Sequence, residues 1–184
     1  HSSGIPANVS WWHIKTKEEY LQLIFNVDKE YERHSKAVYS DIGFIILGIL
    51  IERVTGKSLD KLAKEEIFEK LEMHETMYNP VDHERCAPTE KNGDTYLKGI
   101  VHDPKARLFN GVAGHAGVFS TVFDLVKFAQ TVLNDGKYKD YQLLSKKTID
   151  MWYKTTFKDF EDRYRTIGWL HGKTSKVCDN ISDM

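Results

Sequence analysis

One short spacing in this chain could support nucleophilic chemistry. Ser58 and Lys61 are three residues apart, which places them one turn apart on a helix, where the lysine amine could take the serine proton. Ser58 also follows Gly56-Lys57 and precedes an apolar helical stripe. An N-cap serine and an exposed lysine explain this pattern fully, so we do not assign Ser58 as a nucleophile.

Tyr39-Ser40-Asp41 precedes the most apolar stretch of the chain and is the stronger candidate. On a loop at a helix start, a tyrosine and an acid could project together into a cleft. In the alternative interpretation Tyr39 packs against the core and Asp41 only caps the helix. An isolated tyrosine is a poor base at neutral pH, so Tyr39 could move protons only beside a cation.

Two histidine-containing segments do not predict a metal site. The spacing of His102-Asp103 and His115 is not a recognised ligand pattern, and no cysteine is near. The glycine-rich segment 111–117 does not match a phosphate-binding loop either. We expect no metal and no cofactor, and we expect these glycines to permit close backbone approach near a site.

The elements that must position these residues are predicted to be helices. Thr16 and Glu19 form a capping-box pattern. The predicted helices lie near 16–25, 41–55, 58–71, 120–134 and 145–153. The stretch 41–55 is apolar almost all round and ends at Gly56, so we expect a deeply buried helix capped by Asp41. Residues 73–117 are predicted to form a long irregular segment, and such a segment often forms one wall of a functional site. Residues 167–170 could start a strand.

Composition narrows the function classes. The 184 residues carry 26 Lys+Arg and 27 Asp+Glu, a net charge of −1, which is not the basic footprint of a nucleic-acid-binding protein. The chain has no apolar run of about 18 residues, so no membrane span is predicted. Cys86 and Cys178 are expected to be free thiols, although one bridge stays open. We treat 1–184 as one domain, and its start at His1 suggests further sequence upstream.

Several blocks together resemble one family, the serine β-lactamase-like and penicillin-binding-protein-like hydrolases. The blocks occur in the order typical of that family. They are His1-Ser2-Ser3-Gly4-Ile5-Pro6, Tyr39-Ser40-Asp41-Ile42-Gly43-Phe44 with Leu47-Gly48 and Glu52 to Gly56, Ile67-Phe68 with Leu71-Glu72-Met73 and Thr76, Ala87-Pro88-Thr89-Glu90, Val101-His102-Asp103, Gly111 to Thr121, Asp124-Leu125 with Phe128-Ala129, and Gly168-Trp169. Each block is weak alone, but the ordered set covers most of the chain.

The resemblance implies a fold and a mechanism. The family inserts a helical region into an α/β sandwich, so this chain would be a mainly α helical lobe with the flanking sandwich largely absent. Its three motifs are Ser-x-x-Lys, Tyr-x-Asn and Lys/His-Thr-Gly. Only the second is present, as Tyr39-Ser40-Asp41, with Asp41 in place of the usual Asn. We expect the nucleophile before His1 and the third motif past Met184, and Lys173-Thr174-Ser175 is a weaker candidate for it.

The implied function is the substrate-cleft lobe of a hydrolase that acts through an acyl-serine. Tyr39 and Asp41 are the expected catalytic residues, and His115 and Gly117 are expected to bind substrate. Substrates would be β-lactams, D-amino acid peptides or esters. The isolated chain should be inactive and should self-associate through the exposed cut surface. The family is usually extracytoplasmic, but this chain alone does not define a compartment.

Two alternatives stay open at this point. One is a non-catalytic domain of the same fold that binds cell-wall peptides. A Ser-x-x-Lys upstream of His1 would indicate the enzyme, and its loss would indicate the binding domain. The other is an unrelated all-helical interaction module, which requires the ordered motifs to be coincidence.

Overall fold

The structure, a computed structural model, describes residues 1–154, 157–158 and 164–170. Lys173-Thr174-Ser175 and Cys178 lie outside the described residues, so their predicted roles stay predictions. The helices are α1 (Lys17–Phe25), α2 (Asp41–Thr55), α3 (Leu59–Ala63), which continues into a π-helical turn (Lys64–Phe68), α4 (Pro104–Leu108), α5 (Val122–Leu133) and α6 (Lys146–Lys154); a 3-10 turn spans His83–Arg85.

The strands are short. They are β1 (Met77–Tyr78), β2 (Lys91–Asn92), β3 (Thr95–Tyr96), β4 (Val118–Phe119), β5 (Lys137–Tyr138), β6 (Tyr141–Gln142), β7 (Phe157–Lys158) and β8 (Tyr164–Arg165). They pair as four two-stranded antiparallel ladders, β1–β4, β2–β3, β5–β6 and β7–β8. Helix is therefore the main regular structure of the described residues, with little sheet, which is compatible with the sequence prediction. No helix in these ranges has the length and apolar character needed to cross a bilayer.

The predicted helix ends are mostly confirmed. Thr16 and Glu19 form the reciprocal capping box of α1. Gly56 ends α2 in the left-handed conformation at φ +69°. The prediction that Asp41 caps α2 is wrong by one residue, because Ser40 has the extended backbone of an N-cap and its hydroxyl oxygen accepts a hydrogen bond from the Gly43 amide at 3.1 Å. Asp41 is thus the first helical residue, with its carboxylate available for other contacts.

The burial predicted for α2 is wrong over its second half. Ile42, Ile45 and Gly48 are buried, but Leu50 and Val54 are 52% and 77% exposed. The helix packs through one face and leaves the other to solvent, although both faces are apolar. Burial depends on which neighbours are present, which composition alone does not specify.

Ser58 occupies the N-cap position of α3, but its hydroxyl makes no capping hydrogen bond. Glu52 caps the helix instead, because its carboxylate accepts from the Leu59 amide at 2.9 Å. Lys61 is 62% exposed at its side chain and pairs with Glu65 at 3.9 Å. Both residues therefore have ordinary surface surroundings, and nothing described couples them as a nucleophile and its base.

The core that supports helix α2 joins three segments far apart in sequence. Tyr20 and Ile24 of α1 meet Ile42 and Ile45 of α2, and the segment around Phe109 closes the cluster. The Tyr20 and Phe109 rings pack edge to face with centroids 6.1 Å apart. These contacts fix the start of α2, and so the Tyr39 loop, against the glycine-rich segment.

Helix α2 and the glycine-rich segment approach each other through backbone. A Cβ added at Gly48 would lie 3.1 Å from the Gly114 amide nitrogen, and one added at Gly114 would overlap the carbonyl oxygen of Phe44. This agrees with the expectation that glycines permit close approach here. Gly43 has no such contact, since its Cβ would lie 3.6 Å from the Ser40 hydroxyl.

The possible strand at 167–170 is not formed in the described residues. Residues 167–169 form a bend, and Leu170 makes only an isolated bridge with Arg165. Gly168 has φ +85°, a backbone angle that interrupts an extended strand. The bend still contributes to the cleft described next.

Candidate active site

A cavity of about 320 Å³ lies at the start of α2. Tyr39 and Asp41 line it from the loop and the first turn, and Gly114 and His115 line it from the glycine-rich segment. The tyrosine is 55% exposed, so it is not sealed in the core. The structure thus brings three of the four predicted site residues, Tyr39, Asp41 and His115, to one concave surface.

Two basic groups surround the Tyr39 ring. The Arg165 guanidinium carbon lies 5.6 Å from the ring centroid, within cation–π range. The His1 ring is 4.7 Å away on a tilted plane, and its Nδ1 accepts from the Ser40 amide at 3.1 Å. The His1 contact therefore orders the tyrosine loop, and Arg165 places a permanent positive charge next to the tyrosine.

Behind the cavity wall lies a connected group of charged side chains. Lys105 Nζ is 2.5 Å from Asp41 Oδ2 and 3.7 Å from Asp103 Oδ2, and the lysine side chain is only 8% exposed. Asp103 Oδ1 caps α4 by accepting from the Lys105 and Ala106 amides, and it also accepts from His115 Nε2 at 2.9 Å. The network ties α2, α4 and the glycine-rich segment together.

Burial and charge shift the proton affinities around this network. Burial alone would raise the pKa of Asp103, but hydrogen bonds from His115 and the Ala106 amide, with the Lys105 charge, outweigh it and hold that pKa well below its usual value. Burial, together with the carboxylates of Asp41 and Asp103, raises the pKa of Tyr20 to about 12. The Tyr20 hydroxyl is buried without a hydrogen-bond partner among the described residues, so it stays protonated beside the acids.

The lowered pKa of Asp103 predicts an acid-sensitive fold. The folded state keeps the carboxylate deprotonated where the unfolded chain binds a proton, near a pKa of about 3.9. Its stabilisation is therefore complete above that value and is lost as the pH falls below it. We expect Asp103→Asn to lower the free energy of unfolding at pH 7. We also expect this free energy to fall less steeply in the variant than in the wild type between about pH 5 and 2. Urea unfolding at a series of pH values measures this. The exposed Asp140→Asn is the control, and parallel curves for wild type and Asp103→Asn would contradict the assignment.

Asp41, Asp103 and His115 also place three ligand-type atoms within 4.8 Å of one another. Sequence reasoning did not group them, because Asp41 and Asp103 are 62 residues apart. The ammonium group of Lys105 already occupies this point, 2.5 Å from Asp41 Oδ2 and 3.7 Å from Asp103 Oδ2. We therefore interpret the cluster as an ion-pair network and not as a metal site.

His115 and Gly117 have different surroundings. The His115 side chain is 4% exposed, and its Nδ1 has no hydrogen-bond partner among the described residues. Gly117 does not reach the Tyr39 cavity. It lies next to Tyr78 at φ +122° and lines a separate cavity of about 760 Å³.

Sequence reasoning missed Lys105. The signal available was an unusual acid at position 41 together with a lysine directly after Asp103-Pro104, a predictable helix start.

Comparison with known proteins gives consistent results. A family model described as Beta-lactamase matches residues 1–177. A protein of Escherichia coli K12 named "Putative D-alanyl-D-alanine carboxypeptidase" is 35% identical over 92% of this chain and 44% of its own length. An N-acetylmuramyl-L-alanine amidase of Bacillus subtilis is 31% identical over the same shares. The chain thus spans less than half the length of these relatives.

The fold is also similar to solved structures of β-lactamase-like proteins. A beta-lactamase/D-alanine carboxypeptidase from Pseudomonas syringae superposes with a TM-score of 0.69, covering 94% of this chain and 48% of that protein at 18% identity. The octameric penicillin-binding protein homologue from Pyrococcus abyssi superposes with a TM-score of 0.62 at 20% identity, covering 91% of this chain and 38% of that one. At these identities the likeness concerns the fold alone.

Proposed function

The chain belongs to the β-lactamase family, and from this we propose that it forms the substrate-cleft lobe of a serine hydrolase that acts through an acyl-serine intermediate. The observation that carries the proposal is the exposed Tyr39 on a cavity wall, with Asp41 beside it and Arg165 over its ring. A tyrosine hydroxyl next to a positive charge can relay a proton between a serine nucleophile and a leaving group. The substrates we propose are peptides that end in D-amino acids, β-lactams or simple esters.

The second part of the proposal is that this lobe functions within a longer protein. A cavity of about 720 Å³ opens beside α2, where Ile46, Leu47, Phe128 and Trp169 present apolar surface. The relatives extend well beyond the matched region, since the chain spans 44% of their length. We propose that the remainder of the family domain covers this apolar surface, and that the isolated chain self-associates through it.

The isolated chain should then be catalytically inert. Acyl transfer requires a nucleophile, a proton acceptor and an oxyanion site within mutual reach. Ser58 is the one serine in the sequence with a lysine three residues later. It does not meet this requirement, because Lys61 is exposed and pairs with Glu65. In our proposal the nucleophile and part of the oxyanion site come from outside residues 1–184.

The test is to incubate this chain and the complete gene product with a fluorescent penicillin and a p-nitrophenyl ester. We expect covalent labelling and ester hydrolysis only with the complete product. Labelling of the isolated chain that Ser58→Ala abolishes would contradict the proposal. Failure of the complete product to react with either probe would instead favour the non-catalytic binding domain.

A further inference from the structure

The buried ion pair between Lys105 and Asp41 has a consequence for the cavity that family membership does not supply. Asp41 stands where the family motif usually has Asn, and Lys105 Nζ contacts its Oδ2 at 2.5 Å. An asparagine amide can both donate and accept a hydrogen bond, whereas a carboxylate paired with an ammonium group can only accept. Position 41 therefore presents different chemistry to a substrate from the usual motif.

The lysine contact also distinguishes the two oxygens of Asp41. Lys105 lies on α4, its side chain is only 8% exposed, and it is not among the residues that line the cavity. The side chain of Asp41 is 22% exposed and lines the cavity with Tyr39. Since Lys105 binds Oδ2, Oδ1 is the oxygen left for a bound molecule.

Lys105 is itself held in place and is not a loosely attached surface lysine. Its own amide donates to Asp103 Oδ1 at 2.8 Å, and its Nζ is also 3.7 Å from Asp103 Oδ2. His115 Nε2 fixes the same Asp103. The lysine can therefore hold the Asp41 carboxylate in one orientation, which a flexible surface pair would not do.

We propose that Lys105 is a positioning residue that makes Asp41 an acceptor-only group, so that the cavity selects substrates with an N–H donor next to the scissile carbonyl. This rests on the proposed function. A secondary amide N–H, as in an N-acylated D-amino acid, satisfies the requirement. A substrate with no donor at that point leaves the carboxylate oxygen desolvated without a partner, which is costly. Hydrogen bonds to a charged acceptor are also stronger than those to a neutral amide.

The experiment compares two p-nitrophenyl esters in the complete gene product. One is the ester of N-acetyl-D-alanine, and the other is its N-methyl analogue, which lacks the N–H. The variants are Asp41→Asn, Lys105→Met and the double variant. Lys146→Met is the matched control, because Lys146 also makes two ion pairs, both at 3.0 Å, but is 62% exposed.

We expect the wild type and Lys146→Met to prefer the N–H ester equally. Lys105→Met should lower kcat/KM for both esters by about tenfold, because the carboxylate loses its partner. The double variant should recover most of this loss, since it has neither charge. Its preference for the N–H ester should nevertheless fall by about fivefold, because a neutral amide replaces the charged acceptor. If Lys105→Met fails to fold, the double variant and Asp41→Asn carry the same comparison.

An unchanged preference in the double variant, or Lys105→Met behaving like Lys146→Met, overturns the inference. If the wild type hydrolyses neither ester, the proposed function fails. Thermal unfolding of the same variants then shows whether the ion pair acts only on stability. Recovered stability together with an unchanged ester preference in the double variant would show a purely structural ion pair, which overturns the role in substrate selection, and additive losses would overturn the pair itself.

Discussion

Tyr39→Phe is expected to lower the acylation rate of the complete protein by about 10²- to 10⁴-fold, the usual contribution of a positioned acid–base group. The substitution removes only the hydroxyl, and the ring can keep its contacts with His1 and Arg165. Because the side chain is 55% exposed, little packing is lost and the fold should be unaffected. Rapid-quench measurement of acylation by a fluorescent penicillin gives the rate, and the reversible binding step should change far less.

Tyr153→Phe is the matched control for this prediction. Tyr153 lies on α6, is 48% exposed and does not line the Tyr39 cavity. Its substitution should leave acylation within about twofold of the wild type. An acylation rate for Tyr39→Phe equal to that of Tyr153→Phe would remove Tyr39 from the mechanism.

Gly114→Ala is expected to have the largest effect on stability, about 3 kcal/mol, at the upper end for an overpacked site. The new Cβ would overlap the carbonyl oxygen of Phe44, which belongs to the backbone of α2 and cannot rotate away as a side chain could. The helix must shift to relieve this overlap. Because Gly114 also lines the Tyr39 cavity, the shift should change the cavity itself. Urea unfolding measures the stability change.

Gly43→Ala provides the control on the same helix. Its Cβ would lie at ordinary contact distance, 3.6 Å, from the Ser40 hydroxyl. Alanine also loses less conformational entropy than glycine when a helix forms. The free energy of unfolding of this variant should therefore be at least that of the wild type, and at most about 0.5–1 kcal/mol higher. Equal stabilities for the two variants would show that the close backbone approach at Gly114 is not tight.

The sequence predicted those parts of the fold that depend on local signals. Thr16 with Glu19, and Gly56, mark helix ends through contacts within one turn, and the structure has both. The start of α4 has signals of the same kind, an Asp103 cap followed by Pro104. This helix is nevertheless not predicted from the sequence, because it lies within a segment that has no apolar period. A local capping pattern therefore locates a helix best where an apolar period accompanies it, although the cap itself can differ by one residue, as at Ser40 and Asp41.

The parts that could not be predicted depend on contacts between distant segments. The Lys105–Asp41 pair joins residues 64 positions apart, so no spacing rule identifies it. The exposure of Leu50 and Val54 depends on what packs beside α2, and an all-apolar helix does not say which face is covered. The place of Tyr39 and Asp41 before an apolar helix makes them candidates, and the resemblance of the ordered blocks to a family favours their role in a site over simple packing and capping. Their position on one cavity wall required the structure.

The most direct test of the central claim is to identify the acylated serine in the complete gene product. After reaction with penicillin, peptide mass spectrometry should find the acyl group on one serine outside residues 1–184, followed three residues later by lysine. That result would place the nucleophile on a part of the domain outside this chain, as the proposal requires. Acylation at Ser58, or at any other serine within residues 1–184, would contradict our assignment of this chain as the substrate-cleft lobe.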